Sequence, residues 1–275
     1  MHRIGSLIIK SMIRTWKITK TKRDELRFGD KFSLDAITRQ LPDGYYSTFR
    51  TYNECICVIG LSVHLRRLPN VDASSLRRNL ISLLEPFRPN EARVRVVQTF
   101  QGQVYIAIEP LKNLPREVYE KGVGVETTTI HRDNPRQKST AFIDASDSER
   151  KHIAKERIFE ALLVKNWKIL EGMTSNFFYM IDDILYTAQR DILLGVTRTM
   201  VIRAARGRGV EVRFRALKLN QLSAVKETFI TSSSRGIVPV IQIDDARVGQ
   251  GGPGKMTRML MSAYEEYVLK HAEII

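Results

Sequence analysis

The sequence predicts a mixed α+β protein built from two domains. The chain has 275 residues, which is long for a single hydrophobic core. Strand-like runs that turn back as hairpins are interspersed with stretches of helical spacing. Prolines at both ends of residues 110–115 disfavour helix and favour a boundary nearby. We therefore expect an N-terminal domain of residues 1–113, a linker of residues 114–121 and a larger C-terminal domain of residues 122–275.

The first domain is predicted to combine antiparallel strands with helices. Runs of aromatic and β-branched residues, separated by turn residues, are typical of such strands. Strands are expected at residues 15–20, 45–52, 55–59, 93–100 and 104–109. Ser33 is expected to cap a short helix that runs to residue 40. Residues 72–84 form a second predicted helix, whose buried face consists of Leu76, Leu80, Leu83 and Leu84.

The second domain shows the same alternation of strands and helices. Strands are expected at residues 122–132, 159–164, 176–181, 184–187, 210–215, 229–231 and 237–243. Helices are expected at residues 140–157, at residues 198–206 and after Gly254. The charged pair Asp182-Asp183 separates two of the strands and predicts a hairpin between them.

The charge balance is strongly basic. There are 44 Lys and Arg residues against 30 Asp and Glu residues, a formal net charge of +14. Such a charge can indicate a nucleic-acid partner. However, the basic residues are scattered, and no helix-turn-helix, zinc-finger or RNP pattern accompanies them. We interpret the charge as a solvated surface that attracts anionic cofactors and carboxylate substrates, and we expect no nucleic-acid partner. We also expect no membrane partner, because no run reaches the ~18 apolar residues of a membrane span.

Cysteine usage and the N-terminus indicate a cytoplasmic protein. Cys55 and Cys57 share a face of a predicted strand, without the geometry for a disulfide. Free thiols favour a reducing compartment, and two cysteines are too few for a zinc site. Residues 1–11 lack the apolar core and cleavage site of a secretory signal. Because Met12 directly precedes the first predicted strand, we expect residues 1–11 to be dispensable.

A lysine in a proline-punctuated loop is the strongest candidate for chemistry. Lys138 leaves residues 134–140 at the start of a predicted helix. There an amine can lie inside a site, lose its proton and become a nucleophile toward aldehydes. Three further pieces follow: Glu171 in a predicted turn, Gly195 before a helix, and the serine-rich residues 231–236. Each piece alone is most often a solvated surface feature, so the combination and its order carry the prediction.

These four pieces, in this order, resemble the class IV aminotransferases, which hold pyridoxal phosphate in the fold type IV scaffold. The similarity runs from about residue 43 to residue 268 and is sharpest after Pro135. It implies a smaller N-terminal α/β domain and a larger, β-barrel-like C-terminal domain with helices. It also implies a homodimer whose sites lie at the subunit interface.

The resemblance assigns the chemistry to two residues. Lys138 would form a Schiff base with the cofactor aldehyde and then move a proton between the substrate Cα and the cofactor C4′. Glu171 would keep the pyridine nitrogen protonated, because an adjacent carboxylate favours the charged ring. The reaction implied is the transfer of an amino group between an amino acid and a 2-oxo acid.

The resemblance also assigns the phosphate contacts. Val196 and Thr197 stand at a predicted helix N-terminus, where unsatisfied amides and the helix dipole favour an anion. Arg50 holds the place of the family's phosphate-binding arginine. Ser233 aligns with a further phosphate contact, and Ser234 with the amide that faces the substrate carboxylate.

Several positions depart from the family pattern. Ser47 stands where many relatives carry glutamate. The donor to the cofactor's phenolic oxygen is commonly a tyrosine five residues after the lysine or an asparagine three residues after it, where this chain has Ile143 and Ala141. Residues 100–105 also lack the arginine or histidine that binds substrate carboxylates in several relatives.

Two alternatives to a transaminase follow from the same residues. A lyase acting on an aminodeoxychorismate-like substrate uses the same lysine and cofactor. A non-catalytic basic binding protein is the more distant alternative, favoured only by the charge and the departures. The sequence leaves open the amino-acid substrate, its stereochemistry and the amino acceptor.

Overall fold

The computed structural model describes residues 13–29, 33–69 and 71–275. The segment of residues 1–11 that we expect to be dispensable lies outside the described residues. The chain divides into two compact units. The first comprises the described residues up to Lys112, together with Gln137–Asp144 and His271–Ile275, and the second comprises Asn113–Arg136 and Ala145–Lys270.

The first unit contains an antiparallel sheet with short helices. Its strands are β1 (Arg14–Ile18), β2 (Arg23–Leu26), β3 (Gly44–Tyr52), β4 (Cys57–Ile59), β5 (Ala92–Thr99), β6 (Val104–Pro110) and β17 (Ala272–Ile274). Its helices are α1 (Leu34–Thr38), α2 (Leu61–Leu65), α3 (Ala73–Leu84) and the start of α5 (Ala141–Ala145), with a 3₁₀ turn at Glu85–Phe87. The strands lie in the order β17-β4-β3-β5-β6-β1-β2.

Helix α3 covers one face of this sheet. Asp72 caps it by accepting hydrogen bonds from the amides of Ser74 and Ser75 at 3.1 Å each, as its residue type favours. The four leucines predicted to face inward are all buried. They belong to a core that also contains Phe49, Val94, Val96, Ile106 and Ile108. The predicted amphipathic helix is therefore confirmed.

The second unit is built around a larger mixed sheet. Its strands are β7 (Val123–Thr128), β8 (Ala161–Lys165), β9 (Lys168–Gly172), β10 (Asn176–Ile181), β11 (Ile184–Thr187), β12 (Val212–Phe214), β13 (Leu217–Lys218), β14 (Glu227–Ser232), β15 (Gly236–Ile243) and β16 (Ala246–Arg247). Its helices are α4 (Arg116–Lys121), α6 (Asp147–Lys155), α7 (Val196–Gly207) and α8 (Lys255–His271), with a 3₁₀ helix at Leu219–Ala224.

This sheet closes on itself to form a barrel. Its order is β12-β11-β10-β14-β15-β7-β8-β9-β13, and β9 pairs in addition with β10. The closing pair is Asn176 opposite Glu171. Apolar side chains of these strands form one core, which includes Leu162, Ile169, Phe177, Tyr179, Ile230, Val238 and Val240. Closure places Glu171, a predicted site residue, at the junction of the barrel.

Some local predictions differ from the structure. The predicted helix of residues 140–157 is divided into α5 and α6 around the buried Ser146. Aspartate and serine residues on both sides of this position favour helix starts over helix interiors. Cys55 lies in a turn with φ 64° and not in a strand, so it does not share a strand face with Cys57. The expected linker of residues 114–121 contains a short helix, α4 (Arg116–Lys121), which begins after Pro115.

The described part of the chain contains no helix with the length and apolarity that crossing a bilayer requires.

We predict that the core of the first unit depends strongly on Leu80. Leu80 is fully buried, so Leu80→Ala should lower the free energy of unfolding by ~2–5 kcal/mol through lost burial and a residual cavity. Ile81→Ala, at the next position and 49% exposed, is the matched control and should change it by less than ~1 kcal/mol. Urea unfolding followed by circular dichroism measures both. Equal destabilisation by the two variants would contradict the packing described for α3.

Candidate active site

Lys138 is held on the edge of β3 by main-chain hydrogen bonds. The amide of Tyr46 donates to the Lys138 carbonyl at 2.9 Å, and the amide of Thr140 donates to the Gly44 carbonyl at 2.9 Å. Gly44 lies so close to β5 that a Cβ atom would stand 2.0 Å from the Gln98 carbonyl oxygen. A larger residue is excluded there, so glycine is needed for this close approach.

The side chain of Lys138 lies over an aromatic ring. Tyr46 is directly across from it on β3, and the Lys138 Nζ is 4.8 Å from the centroid of the Tyr46 ring. Tyr46 is buried, and Lys138 is only partly exposed. An ammonium against an aromatic face in a partly desolvated place is held by a cation–π contact. The predicted reactive lysine is thus fixed at both its main chain and its side chain.

Arg50 lies on the same face of β3 as Tyr46, because side chains four positions apart along a strand point the same way. The separation along the strand is about 13 Å. Its guanidinium covers the ring of Tyr52 at 4.7 Å, and its Nε donates to the Thr51 carbonyl at 3.3 Å. The half-buried Arg50 therefore presents its charge on the sheet face that also carries Lys138.

A third cation on this face was missed by the sequence analysis. Arg95 is 4% exposed and lies between the other two, opposite Thr48. Its Nη1 donates to Asp35 at 2.7 Å and to Thr38 at 3.0 Å, and its guanidinium lies 4.7 Å from the Tyr46 ring. No local pattern indicates this role, because the carboxylate that pairs with it is 60 residues away.

Ser47 and His64 form a buried pair on the other face of β3. The Ser47 Oγ and His64 Nδ1 are 2.8 Å apart, and both residues are fully buried. Burial lowers the pKa of His64 well below its ordinary value, with smaller contributions from the charges of Arg67 and Lys138. Since serine carries no charge, nothing in this pair favours the imidazolium, and His64 is neutral at physiological pH.

In the second unit, Glu171 is a buried carboxylate with well-defined partners. It lies in β9, not in a turn, because pairing with β8 and β10 extends the strand to Gly172. It is 2% exposed. Its Oε1 accepts from the Arg132 Nε at 3.1 Å, and its Oε2 accepts from the Asn176 Nδ2 and the Leu193 amide at 3.1 Å each.

Arg132 supplies the positive charge that pairs with the Glu171 carboxylate. The sequence analysis did not single out this arginine. It lies in the loop after β7 with a side chain only 5% exposed, and its Nη2 also donates to the Met173 carbonyl at 2.7 Å. Removing a carboxylate from water is strongly unfavourable unless it is paired and hydrogen-bonded, and this arrangement meets both needs. Glu171 is therefore presented as a fixed negative charge. The pair spans 39 positions of sequence, so no local motif could reveal it.

The segment between β11 and α7, residues 188–195, is tied down by two arginines. The Arg136 Nη2 donates to the Gln189 carbonyl at 2.6 Å, and the Arg198 Nη2 donates to the Ala188 carbonyl at 2.8 Å. Leu193, whose amide binds Glu171, accepts a hydrogen bond from the Asn176 Nδ2 at its carbonyl. The segment therefore links Glu171 to the start of α7.

The N-terminus of α7 is built to accept an anion. Gly195 occupies the cap position without a side-chain cap, and a Cβ atom there would stand 2.0 Å from the Asn176 Oδ1. Val196 and Thr197 are both 2% exposed. A helix of twelve residues has amides at its start without intrahelical partners, and its dipole favours negative charge there. This buried, uncapped end fits a phosphate group.

The serine turn lies beside Thr197. The Thr197 Oγ1 and the Ser233 Oγ are 3.4 Å apart, and Ser233 and Ser234 are half-buried between β14 and β15. The structure thus brings together two of the predicted phosphate contacts.

An unpredicted arginine fixes this turn. The Arg235 Nη2 donates to the Glu160 Oε2 at 2.9 Å and to the Thr174 Oγ1 at 2.6 Å, and its Nε donates to the Ser232 Oγ at 3.0 Å. Glu160 is 1% exposed, so its buried charge is balanced by Arg235. The serine turn is therefore anchored to the loop that joins β9 and β10.

Ile143 and Ala141 stand where relatives carry the donor to the cofactor's phenolic oxygen, and their surroundings differ. Ile143 is fully buried and packs with Tyr46, Val97 and Tyr105, whereas Ala141 is exposed. Ile143 therefore contributes to the packing of the first unit.

Comparison with known proteins identifies the family. The model of the class IV aminotransferases matches residues 48–243. The chain belongs to the class IV aminotransferases. It is 28% identical over 269 residues to a probable branched-chain-amino-acid aminotransferase of Thermotoga maritima, covering 91% of this chain and 96% of that protein. It is 25% identical over 260 residues to the D-alanine aminotransferase of Bacillus licheniformis, covering 84% and 89%.

A solved structure shows the same fold. The crystal structure of a putative branched-chain amino acid aminotransferase from Thermotoga maritima superposes with a TM-score of 0.78 at 27% identity, covering 94% of this chain and 96% of that chain. The predicted family and fold type IV scaffold are confirmed. This class IV aminotransferase is a transaminase that uses pyridoxal phosphate, and the lyase alternative is not favoured.

We predict that neutral His64 makes the first unit sensitive to mild acid. The unfolded chain binds a proton near pH ~6.5 and the folded chain does so only at lower pH, so the free energy of unfolding falls as pH drops from about 7 to about 5, by up to ~1.4 kcal/mol per pH unit. Urea unfolding across this range should show a flatter dependence for His64→Gln. His131→Gln, at an exposed histidine, should leave it unchanged. Parallel profiles for wild type and His64→Gln would contradict a buried neutral imidazole.

We predict strong coupling between Arg132 and Glu171. Arg132→Met leaves a buried carboxylate without its cation and should destabilise the second unit by ~3–5 kcal/mol. Adding Glu171→Gln should recover part of this loss, which a double-mutant cycle measures. The control is Arg116→Met, which removes an exposed pair with Glu120 and should change the stability by less than ~1 kcal/mol. Additive single effects would show that the two charges do not depend on one another.

Proposed function

We propose that Lys138 binds the cofactor of this transaminase covalently and that Glu171 keeps the pyridine nitrogen of the cofactor protonated. The single observation that carries the proposal is the buried, fully hydrogen-bonded carboxylate of Glu171 at the barrel closure, in a chain of this family that also holds Lys138 by main-chain hydrogen bonds to β3. Pyridoxal phosphate supplies an aldehyde that links to amines and a ring that withdraws electrons from the substrate Cα.

Lys138 has two tasks in this proposal. Its Nζ would supply the amine that links to the cofactor aldehyde, and the same amine would accept and return a proton at the substrate Cα. The contact with the Tyr46 ring and the hydrogen bonds to β3 support this role, since they fix the amine in one orientation. Orientation matters because a proton carrier must lie within hydrogen-bond reach of the atom that it serves.

Glu171 would favour the protonated form of the cofactor's pyridine nitrogen. Its own charge is maintained by Arg132, and its two oxygens are oriented by Asn176 and the Leu193 amide. A rigid carboxylate favours the protonated ring by direct attraction and loses no energy to reorganisation during the reaction.

The phosphate contacts come from separate elements. The amides of Val196 and Thr197, with the Thr197 hydroxyl and Ser233, would bind the phosphate, and Arg50 would add a cation. The amide of Ser234 would face the substrate carboxylate. The buried and uncapped start of α7 supports the phosphate role, because such an end needs an external partner for its amides.

The substrates are an amino acid and a 2-oxo acid. The two similar proteins named above are a D-alanine aminotransferase and a probable branched-chain-amino-acid aminotransferase, so we propose an apolar amino acid as the substrate and leave its stereochemistry to the assay. We further propose a cytoplasmic homodimer. The free thiols of Cys55 and Cys57 support a reducing compartment, and light scattering of the purified protein would measure its mass in solution.

We predict that Lys138→Ala abolishes the covalent link. After borohydride reduction, mass spectrometry should find the cofactor on the peptide that contains Lys138 in wild type and on no peptide in the variant. The rate of amino transfer should fall by at least ~10²–10⁴-fold, because the proton carrier is lost. Lys168→Ala removes an exposed lysine of β9 and should behave as wild type. A reduced cofactor on another lysine would overturn the assignment.

Mixing the enzyme with single amino acids tests the reaction class. With D-alanine or an L-branched-chain amino acid alone, a transaminase converts its bound cofactor to the amine form and stops until a 2-oxo acid is added. Continuous release of pyruvate without an acceptor would instead indicate a lyase. A panel of L- and D-amino acids read by visible spectroscopy identifies the substrate in the same experiment.

A further inference from the structure

The main chain around Lys138 makes only a short contact with β3. An isolated antiparallel bridge joins Ser139 to Tyr45, and two main-chain hydrogen bonds flank it, one of them from the Tyr46 amide to the Lys138 carbonyl. Each main-chain hydrogen bond contributes little net free energy, so a bridge of this length is much weaker than a full strand. A further contact is therefore needed to hold the lysine segment in one place.

The side chain of Thr140 supplies that contact. Its hydroxyl accepts a hydrogen bond from the Gly44 amide at 3.0 Å and donates one to the Asp43 Oδ1 at 2.9 Å. Both hydrogen-bonding roles of the hydroxyl are used, which selects one orientation of the side chain. Thr140 is 4% exposed, so water has little access to this hydroxyl. Branching at Cβ also restricts the χ1 torsion of a threonine.

The partners of this hydroxyl are fixed by the sheet of the first unit. Gly44 begins β3 and pairs with β5, and the Asp43 carbonyl accepts a hydrogen bond from the Phe100 amide at 2.9 Å. The side chain two positions after Lys138 is therefore tied to a part of the sheet that is itself well anchored. The hydroxyl and its carboxylate partner are 97 positions apart, so no local motif indicates the contact.

The anchoring of Lys138 matters most when its amine is free. A lysine that is linked through Nζ is held at both ends, by the cofactor and by its own main chain. A free lysine has a flexible four-carbon stem, and only contacts within the protein orient it. A proton carrier must lie within hydrogen-bond reach of the atom that it serves, and a displacement of about 1 Å can cost roughly 10²-fold in rate. Loosening the main chain should therefore slow proton transfer more than it hinders formation of the link.

We propose that Thr140 is a positioning residue, which through its hydrogen bonds with Gly44 and Asp43 holds Lys138 for proton transfer at the substrate Cα. The proposal rests on the proposed role of Lys138 as the residue that links to the cofactor and carries the proton. Thr140 acts through the main chain of the lysine segment, and the covalent link depends little on it.

Thr140→Val tests the hydroxyl, because valine has nearly the same shape and forms neither hydrogen bond. Holoenzyme is mixed with D-alanine or L-leucine alone, whichever converts the cofactor of wild type to its amine form, and the single-turnover rate constant is read by visible absorbance. This rate constant should fall by about tenfold in Thr140→Val. The fraction of Lys138 found with reduced cofactor after borohydride should change by less than about twofold. Thr140→Ser keeps the hydroxyl and should recover most of the rate.

Deuterium at the substrate Cα shows which step is slowed. In the proposed step the Cα–H bond breaks and the proton passes to the Lys138 Nζ. The ratio of the rate constants for hydrogen and deuterium should therefore be at least as large in Thr140→Val as in wild type. A single-turnover rate constant does not depend on the amount of folded protein, so a merely structural role would leave it unchanged.

Hydrogen exchange of the main chain gives a readout that is independent of the reaction. In Thr140→Val, peptides that cover residues 137–144 should exchange about five- to tenfold faster, because opening becomes easier by the free energy of the lost hydrogen bonds. In Thr140→Ser, the same peptides should exchange as in wild type.

Two further variants complete the set. Asp43→Ala removes only the carboxylate, and because Asp43 is exposed this variant should fold even if Thr140→Val does not. It should show a smaller loss of the same kind. Thr127→Val is the matched control, because the Thr127 hydroxyl donates to the Asp244 Oδ2 at 2.9 Å, the same type of hydrogen bond in the second unit. Its rate constant should stay within about twofold of wild type.

The following outcomes would overturn the proposal. A wild-type rate constant in Thr140→Val would show that the hydroxyl does not position the lysine. A linked fraction that falls in parallel with the rate would assign the contact to the covalent link. A smaller isotope ratio would place the loss in another step, and an equal loss in Thr140→Ser or Thr127→Val would assign it to packing or to general destabilisation. Failure of the proposed function is distinguishable, since wild type itself would then carry the reduced cofactor on a residue other than Lys138.

Discussion

The buried pairing of Arg132 with Glu171 is the interaction on which the candidate site of the second unit depends. A carboxylate with 2% exposure is tolerable only because a guanidinium, a side-chain amide and a main-chain amide all donate to it. Each donor belongs to a different stretch of the chain. Satisfying one charge therefore fixes the loop after β7, the start of β10 and the segment before α7 relative to one another.

The barrel closure that positions Glu171 also restricts which residues fit at positions 176 and 195. Asn176 stands opposite Glu171 in the closing pair, and its Oδ1 fills the space where a Cβ at Gly195 would lie. A glycine is therefore required at position 195 because the Asn176 side chain leaves no room for a Cβ atom. Arg198 also stabilises this region, because it binds the Ala188 carbonyl at the start of the segment whose Leu193 amide binds Glu171.

In the first unit, strand β3 separates the hydrophobic core on one face from the side where Lys138 lies on the other. Odd-numbered positions of β3 such as Ser47 and Phe49 face the apolar core or the neutral His64. Even-numbered positions such as Tyr46 and Arg50 face the side where Lys138 lies. The alternation of side chains along a strand keeps the amine and the arginine away from the hydrophobic interior. Serine in place of glutamate at position 47 keeps this buried pair without formal charge.

The sequence by itself determined the elements whose signals are local. The spacing of leucines defined α3, the Asp182-Asp183 turn defined the hairpin of β10 and β11, and the order of Lys138, Glu171, Thr197 and Ser233 indicated the family. Only the tertiary structure decided the partners of the charges. Arg132, Arg95 and Arg235 meet carboxylates 39, 60 and 75 positions away, and such contacts arise from barrel closure and strand pairing, which leave no periodic trace along the chain.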